Sequence, residues 1–203
     1  MLLATTNPGK IREILRVLED VPVEIRTLAD LPPVAEPRET GRTFAENALL
    51  KARYYAAASR LPTIAEDSGL EIDALGGRPG VESARYPGAT YPAKFRNLYR
   101  ELAEVPRPWT ARYVCSVAVV DPGLPAGADV LFTGEGTVEG EIWPEPRGSH
   151  GFGYDPVFYY PPFGATFGEV DDARKLEVAH RGRAFRLVRT WLERATRPPR
   201  QAR

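Results

Sequence analysis

Ile64-Ala65-Glu66-Asp67-Ser68-Gly69-Leu70 carries an apolar run into two adjacent carboxylates, a hydroxyl and a glycine, and Leu70-Glu71-Ile72 resumes the alternation. This pattern predicts a strand that breaks at Ser68-Gly69 and then restarts. On an unbroken strand Glu66 and Asp67 point to opposite sides, whereas a break would turn both towards one cleft. Two carboxylates at a strand end suit a hard cation such as magnesium, and one of them suits a general base. The heptapeptide alone reads equally as a polar turn with a solvated Glu-Asp pair.

Upstream, Leu2-Leu3-Ala4-Thr5 reads as a short buried strand. Thr6-Asn7-Pro8-Gly9-Lys10 is a polar turn, and Ile11, Ile14, Leu15 and Leu18 recur at helical spacing. Asn7 is the expected cap and Pro8 the first helical residue. The helix-start amides with Lys10 would make an anion site, although the spacing is not that of a P-loop. Val23 to Arg26 alternates as a second strand, and residues 28 to 41 are a Pro-rich acidic loop. Thr43 and Glu46 fit a capping box opening a helix from Phe44 to about Ser59.

Downstream, Ala74 to Gly80 is turn chemistry, and Pro92 to Leu102 has helical spacing. Thr110 to Val120 and Val130 to Val138 read as an antiparallel pair. Val157 to Tyr160 reads as a strand, and Phe185, Val188, Trp191 and Leu192 mark a closing helix. Arg197 to Arg203 is a Pro- and Arg-rich tail expected to fray. Helices and strands alternate early and antiparallel strands come later, which predicts a mixed α/β sheet.

The chain has 203 residues, 43% of them hydrophobic, enough for one substantial domain with a real core. Its charges balance at 27 against 27, so no basic field argues for a nucleic-acid polymer. No apolar run is long enough for a membrane span, and Met1 to Ala4 is too short for a secretory leader. A cytoplasmic protein is expected. Cys115 lies in an apolar run and reads as a small buried hydrophobe. Only Lys10, Lys51, Lys94 and Lys175 among the 27 basic residues are lysine. In an arginine-rich chain, a lysine marks a place for a compact point charge.

Four separated stretches together resemble one family. They are Ala4 to Lys10; Thr40 to Ala48 with Lys51-Ala52; Ala65 to Leu70 with Gly76 to Val81 and Ser83 to Tyr86; and Gly151 to Pro156 with Lys175 and His180-Arg181-Gly182. The family is that of the inosine triphosphatases, the non-canonical purine nucleoside triphosphate pyrophosphatases. The resemblance runs from residue 2 to about 193. It implies an elongated mixed α/β fold, one domain over residues 1–196 with two lobes around a central cleft, usually as a homodimer. It also implies magnesium-dependent hydrolysis of ITP, dITP and XTP to monophosphate and pyrophosphate.

Residue by residue, the resemblance makes Asp67 the proton acceptor and a metal ligand, with Glu39 as a second ligand. Glu66 is an Asp in many relatives, and its share of the metal stays open. Thr5, Thr6, Asn7, Pro8, Gly9 and Lys10 match the triphosphate-binding turn, Ser68 a substrate contact, and Lys51 a helix position facing the cleft. Phe152, with Gly153 and Tyr154 beside it, matches a ring that packs on the purine. Asp155, Lys175, His180 and Arg181 match nucleotide and base contacts. A donor aimed at a 6-keto purine favours it over adenine, whose 6-amino group is itself a donor. Guanine shares the keto group, so that edge alone does not separate it. Two positions depart from the pattern: Ala179 replaces a serine and Leu176 a small polar residue. Alternative readings are a Maf-like pyrophosphatase with another base preference, a nucleotide sensor without turnover, and a structural protein.

Overall fold

The computed structural model describes residues 1–196; the tail at 197–203 lies outside the described residues. Seven strands form one mixed sheet: β1 (Leu2–Leu3), β2 (Arg26–Thr27), β3 (Thr63–Ile72), β4 (Trp109–Val120), β5 (Val130–Ile142), β6 (Phe158–Tyr160) and β7 (Ala165–Thr166). Their order is β2-β1-β3-β4-β5-β6-β7. β1 pairs parallel with β2 and β3, and every later pairing is antiparallel. The helices are α1 (Pro8–Val17), α2 (Phe44–Ser59), α3 (Tyr91–Leu102), α4 (Asp172–Val178) and α5 (His180–Ala195).

The expected break in the central strand is absent. β3 runs through Glu66, Asp67, Ser68 and Gly69 and pairs with β4 at every residue from Thr63↔Val120 to Ile72↔Ala111. Gly69 serves packing instead. A Cβ there would lie 2.4 Å from the Ser83 hydroxyl and 2.6 Å from the Gly80 carbonyl, so glycine lets the 80–83 turn sit on the strand. Side chains therefore alternate along β3. Ile64 joins an apolar cluster with α1 and α5 residues such as Ile14, Phe185 and Val188. Ala65 joins the α2 side with Ala48, Ala52 and Tyr55. A third cluster packs α3 through Phe95 and Leu98 against Leu70, Ile72, Tyr113 and Phe158.

β1 is short, and this opens the site. It keeps contact with β3 only to the Ala4 amide, which donates to the Ile64 carbonyl at 2.8 Å. Beyond that the chain leaves the sheet for α1, and a crevice forms at the β3 edge just where Glu66 begins. Ligand crevices outside strand ends follow the same logic in other α/β sheets.

Other expectations shift slightly. The second strand is Arg26–Thr27; Val23 and Ile25 instead pack against the α1/α5 cluster. Helix α2 starts at the expected Thr43 cap, which accepts from the Glu46 amide, but the Glu46 carboxylate takes the Arg42 amide rather than the Thr43 one, so the expected capping box is only half formed; the helix stops at the left-handed Arg60. The late strands extend to Ile142, and β6 begins at Phe158 after a 3-10 turn, Asp155–Val157.

Candidate active site

Strand alternation sends the two carboxylates of the central heptapeptide to opposite faces. Glu66 points towards α1 and α5. Its Oε1 pairs with Lys10 at 2.6 Å, and its Oε2 lies 3.9 Å from Arg181 and 3.4 Å from the Cys115 thiol. Asp67 points towards α2. It accepts from Asn47 Nδ2 at 3.0 Å and from Lys51 Nζ at 3.0 Å, and Lys51 also donates to Glu39 at 2.6 Å. Arg85 reaches Glu39 at 2.9 Å from the other side. Burial pushes the Asp67 carboxyl above the usual aspartate value; Lys51 and Lys10 oppose this, and Glu66 and Glu39 add to it. Burial also raises Glu66, but Lys10, Arg181 and Lys51 outweigh it and hold this carboxylate well below its ordinary range.

The turn at residues 5–10 differs from expectation in one respect. Asn7 caps α1 by accepting from the Gly9 and Lys10 amides at 2.9 and 3.2 Å. Those amides are therefore engaged, and Lys10 Nζ is the cation this turn presents. Thr6 donates to Glu36, and the Asn7 amide donates to the Thr5 hydroxyl. Pro8 opens the helix. Gly9 is buried beneath the Phe152 ring, where a Cβ would come within 2.6 Å of the ring. Thr5, Thr6, Asn7, Lys10, Glu39, Lys51 and Arg85 line one pocket at this end of the crevice.

A second pocket adjoins it and shares Asn7, Lys10 and Ala84. Ser68, Tyr91, Tyr113, Phe152 to Asp155, Lys175, His180 and Arg181 line it. Its charges form a buried chain. Lys175 donates to Asp155 at 2.8 Å and pairs with Glu13 at 2.6 Å; Arg181 donates to Glu13 at 2.5 Å and to Ser68 at 2.8 Å. Burial pushes the Glu13 carboxyl up, but Arg181 and Lys175 together pull it below its ordinary value. Asp155 also accepts from the Phe152 amide at 2.8 Å, which fixes the 152–155 turn. Lys175 and Arg181 stand 5.0 and 5.5 Å from the centre of the Phe152 ring. Tyr154 is a buried wall whose hydroxyl donates to the Ser83 carbonyl.

His180 and Arg181 open α5, yet both are buried, not the surface pair that a helix start usually carries. The imidazole stacks on Tyr113 at 4.6 Å. Burial, then Arg181, drives its pKa well below the usual histidine value, so it is neutral. His180 Nδ1 and Arg181 Nε are buried with no hydrogen-bond partner among the described residues. Gly182 brings α4 against α5: a Cβ would lie 1.9 Å from the Leu176 carbonyl. Leu176 and Ala179 are both buried, and Ala179 leaves α5 without a side-chain cap.

Sequence reading did not single out Glu13, Tyr91, Arg85 or Tyr113, and Asn47 reads there as no more than a capping or solvated group. Glu13 falls among α1 positions that look solvated, and only the α5 contact shows otherwise. Arg85 lay inside a motif but carried no assigned role.

The donor set suits a hard divalent cation. Glu39 and Asp67 offer carboxylate oxygens joined through Lys51. Among the described residues no three His, Cys, Asp or Glu side chains form a chelating group on their own. A cation held by these two carboxylates would complete its shell with ligand oxygens and water.

A mixed sheet whose edge holds lysines and carboxylates, next to a pocket of rings and buried donors, has the chemistry to take an aromatic polyanion. The chain belongs to the Ham1 family, whose profile matches residues 1–191. A relative from Thermus thermophilus, named dITP/XTP pyrophosphatase, is 47% identical over 193 residues, covering 93% of this chain and 89% of the relative. One of the same name from Geobacillus kaustophilus is 44% identical over 197 residues, covering 95% and 94%. The solved HAM1 protein of Coxiella burnetii superposes with TM-score 0.84 at 37% identity, covering 95% of this chain and 98% of that one.

Proposed function

We propose that this protein hydrolyses non-canonical purine nucleoside triphosphates, ITP, dITP and XTP, to the monophosphate and pyrophosphate with magnesium. The observation that carries this reading is the junction of two pockets. One is cationic and carboxylate-bearing; the other is ring-lined, walled by deeply buried charged side chains, and holds two unpartnered buried groups. A triphosphate lies against Lys10 and Lys51 at the first. A purine packs on Phe152 at the second, where Arg181 and neutral His180 meet its keto edge.

Glu39 and Asp67 would hold the metal ion, which, when bound, neutralises charge on the phosphates. Asp67 accepts the proton of the attacking water. Its two oxygens each take one donor, which leaves lone pairs for that proton. Glu66 acts as counter-ion to Lys10 and Arg181, tying the two pockets together. An adenine amino group would bring a donor against the Arg181 donor, so ATP is disfavoured. Two lobes over residues 1–196, a homodimer and a cytoplasmic location belong to this reading. Among the described residues no helix is long and apolar enough to cross a membrane.

Incubation with magnesium and ITP, XTP, GTP or ATP, followed by product separation, tests the reading. IMP and XMP with pyrophosphate, and little product from ATP, are expected. Diphosphates with free phosphate would place attack at the terminal phosphorus and refute the role of Asp67. A magnesium-linked thermal shift without turnover would make the protein a sensor.

A further inference from the structure

Helix α3 places a lysine where its pattern calls for an apolar residue. Phe95, Leu98 and Leu102 form its buried face, and helical spacing puts Lys94 on that face too. Lys94 is only 7% exposed. Among the described residues no carboxylate forms an ion pair with it, and burial draws its pKa down. A buried ammonium without a counter-charge is unfavourable, and an apolar side chain of the same length would pack without that penalty.

Its ammonium has two partners, and both are walls of the cleft. It donates to the Ala84 carbonyl and lies 5.1 Å from the centre of the Tyr91 ring. Ala84 lines both pockets, and Tyr91 lines the ring-lined one beside Gly153. Arg85, the next residue, reaches Glu39. Other ties from α3 hold neighbouring parts of this segment: Asn97 donates to the Pro87 carbonyl at 2.8 Å, and Tyr86 donates to Glu101 at 2.5 Å.

We infer that Lys94 is a positioning residue for the substrate cleft, fixing the Ala84 carbonyl and the Tyr91 ring from behind. The inference rests on the nucleotide reading above. Lys94 does not touch substrate; it sets the wall against which the nucleoside lies and the start of the segment that aims Arg85.

Three variants test it: Lys94→Met, Lys94→Gln and Asn97→Ala. Each is measured by steady-state kinetics on ITP, by thermal unfolding, and by amide hydrogen exchange over residues 83–91. Lys94→Met should unfold at or above the wild-type temperature, since a buried charge has gone. Its KM should rise roughly tenfold with a smaller change in kcat, the loss of one charge-assisted hydrogen bond. Exchange at residues 84–86 should quicken. Lys94→Gln keeps a donor and should recover part of KM, and Asn97→Ala should leave KM unchanged. Wild-type KM and wild-type exchange in Lys94→Met would overturn the inference. So would a lower unfolding temperature with KM unchanged, which makes Lys94 a stability residue. A wild-type protein that releases no monophosphate defeats the functional reading instead, and the exchange result then decides Lys94 alone.

Discussion

The two ends of the cleft hold their charges differently. At the phosphate end the side chains of Lys10, Lys51 and Glu39 keep 17%, 13% and 22% exposure, although their partners Glu66 and Asp67 keep only 0% and 9%. At the base end those of Glu13, Asp155, Lys175 and Arg181 are all at or below 6%. Half-open ion pairs exchange partners readily, because water screens what they lose. A triphosphate can thus take over Lys10 and Lys51 and free Glu39 and Asp67 for a cation. The sealed chain from Asp155 through Lys175 and Glu13 to Arg181 has no such freedom. Its donor pattern stands before any ligand arrives, which is what discrimination between purines requires. On the proposed reading, one end does chemistry with movable charge and the other selects with fixed charge.

The largest break in this contrast is Asp67→Asn. It keeps the shape and removes the base, so kcat should fall about 10²- to 10⁴-fold, the usual contribution of general base catalysis. Far-UV circular dichroism and the unfolding temperature should barely move. A variant at the wild-type rate would place the base elsewhere.

Glu13→Gln strikes the fixed end. It leaves Lys175 and Arg181 short of counter-charge in the interior, and should cost about 3–5 kcal/mol by urea unfolding. Glu39→Gln, at the half-open end, should cost less than about 1 kcal/mol. Similar losses at both sites would erase the distinction. The Glu13 effect also carries a pH signature. Its folded pKa lies below the ordinary value, so its stabilisation is complete above roughly pH 4.3 and fades as pH falls through the folded pKa. The gap between wild type and Glu13→Gln should be full at neutral pH and should close in acid. A gap that widened below pH 4 would contradict the assigned ion pairs.

Phe152→Ala sharpens the base end further. Base–aromatic stacking contributes about 1–3 kcal/mol, so KM for ITP should rise roughly tenfold with kcat less affected. An unchanged KM would remove the ring from recognition.

Much of this arrangement was legible in the sequence, and the failures share a cause. Helix α2 was readable because Thr43 and Glu46 announce its start, and the antiparallel pair because both strands are long and patterned. The central strand was misread as broken because Ser68-Gly69 carries the local signature of a turn. Gly69 is there for the Gly80 turn, which packs on it from a distance in sequence. Helix α4, at seven residues, is too short to show a period, so Lys175 had no visible scaffold. The amides at the start of α1 were read as an anion site, but the Asn7 side chain occupies two of them. Glu13 and Lys94 escaped for one reason: a charge on a helix looks solvated until a neighbouring element covers it.

The most direct measurement is the ratio of kcat/KM for ITP to that for ATP in Lys10→Ala and in Arg181→Lys. On the proposed reading Lys10 serves the phosphates, which both nucleotides share, so Lys10→Ala should lower both rates together and leave the ratio near that of wild type. Arg181→Lys keeps a cation but loses the planar fork aimed at the purine, and should cut the ratio roughly tenfold or more. A ratio that changed with Lys10 and stood still with Arg181 would reverse the orientation of the substrate and contradict the division of the cleft.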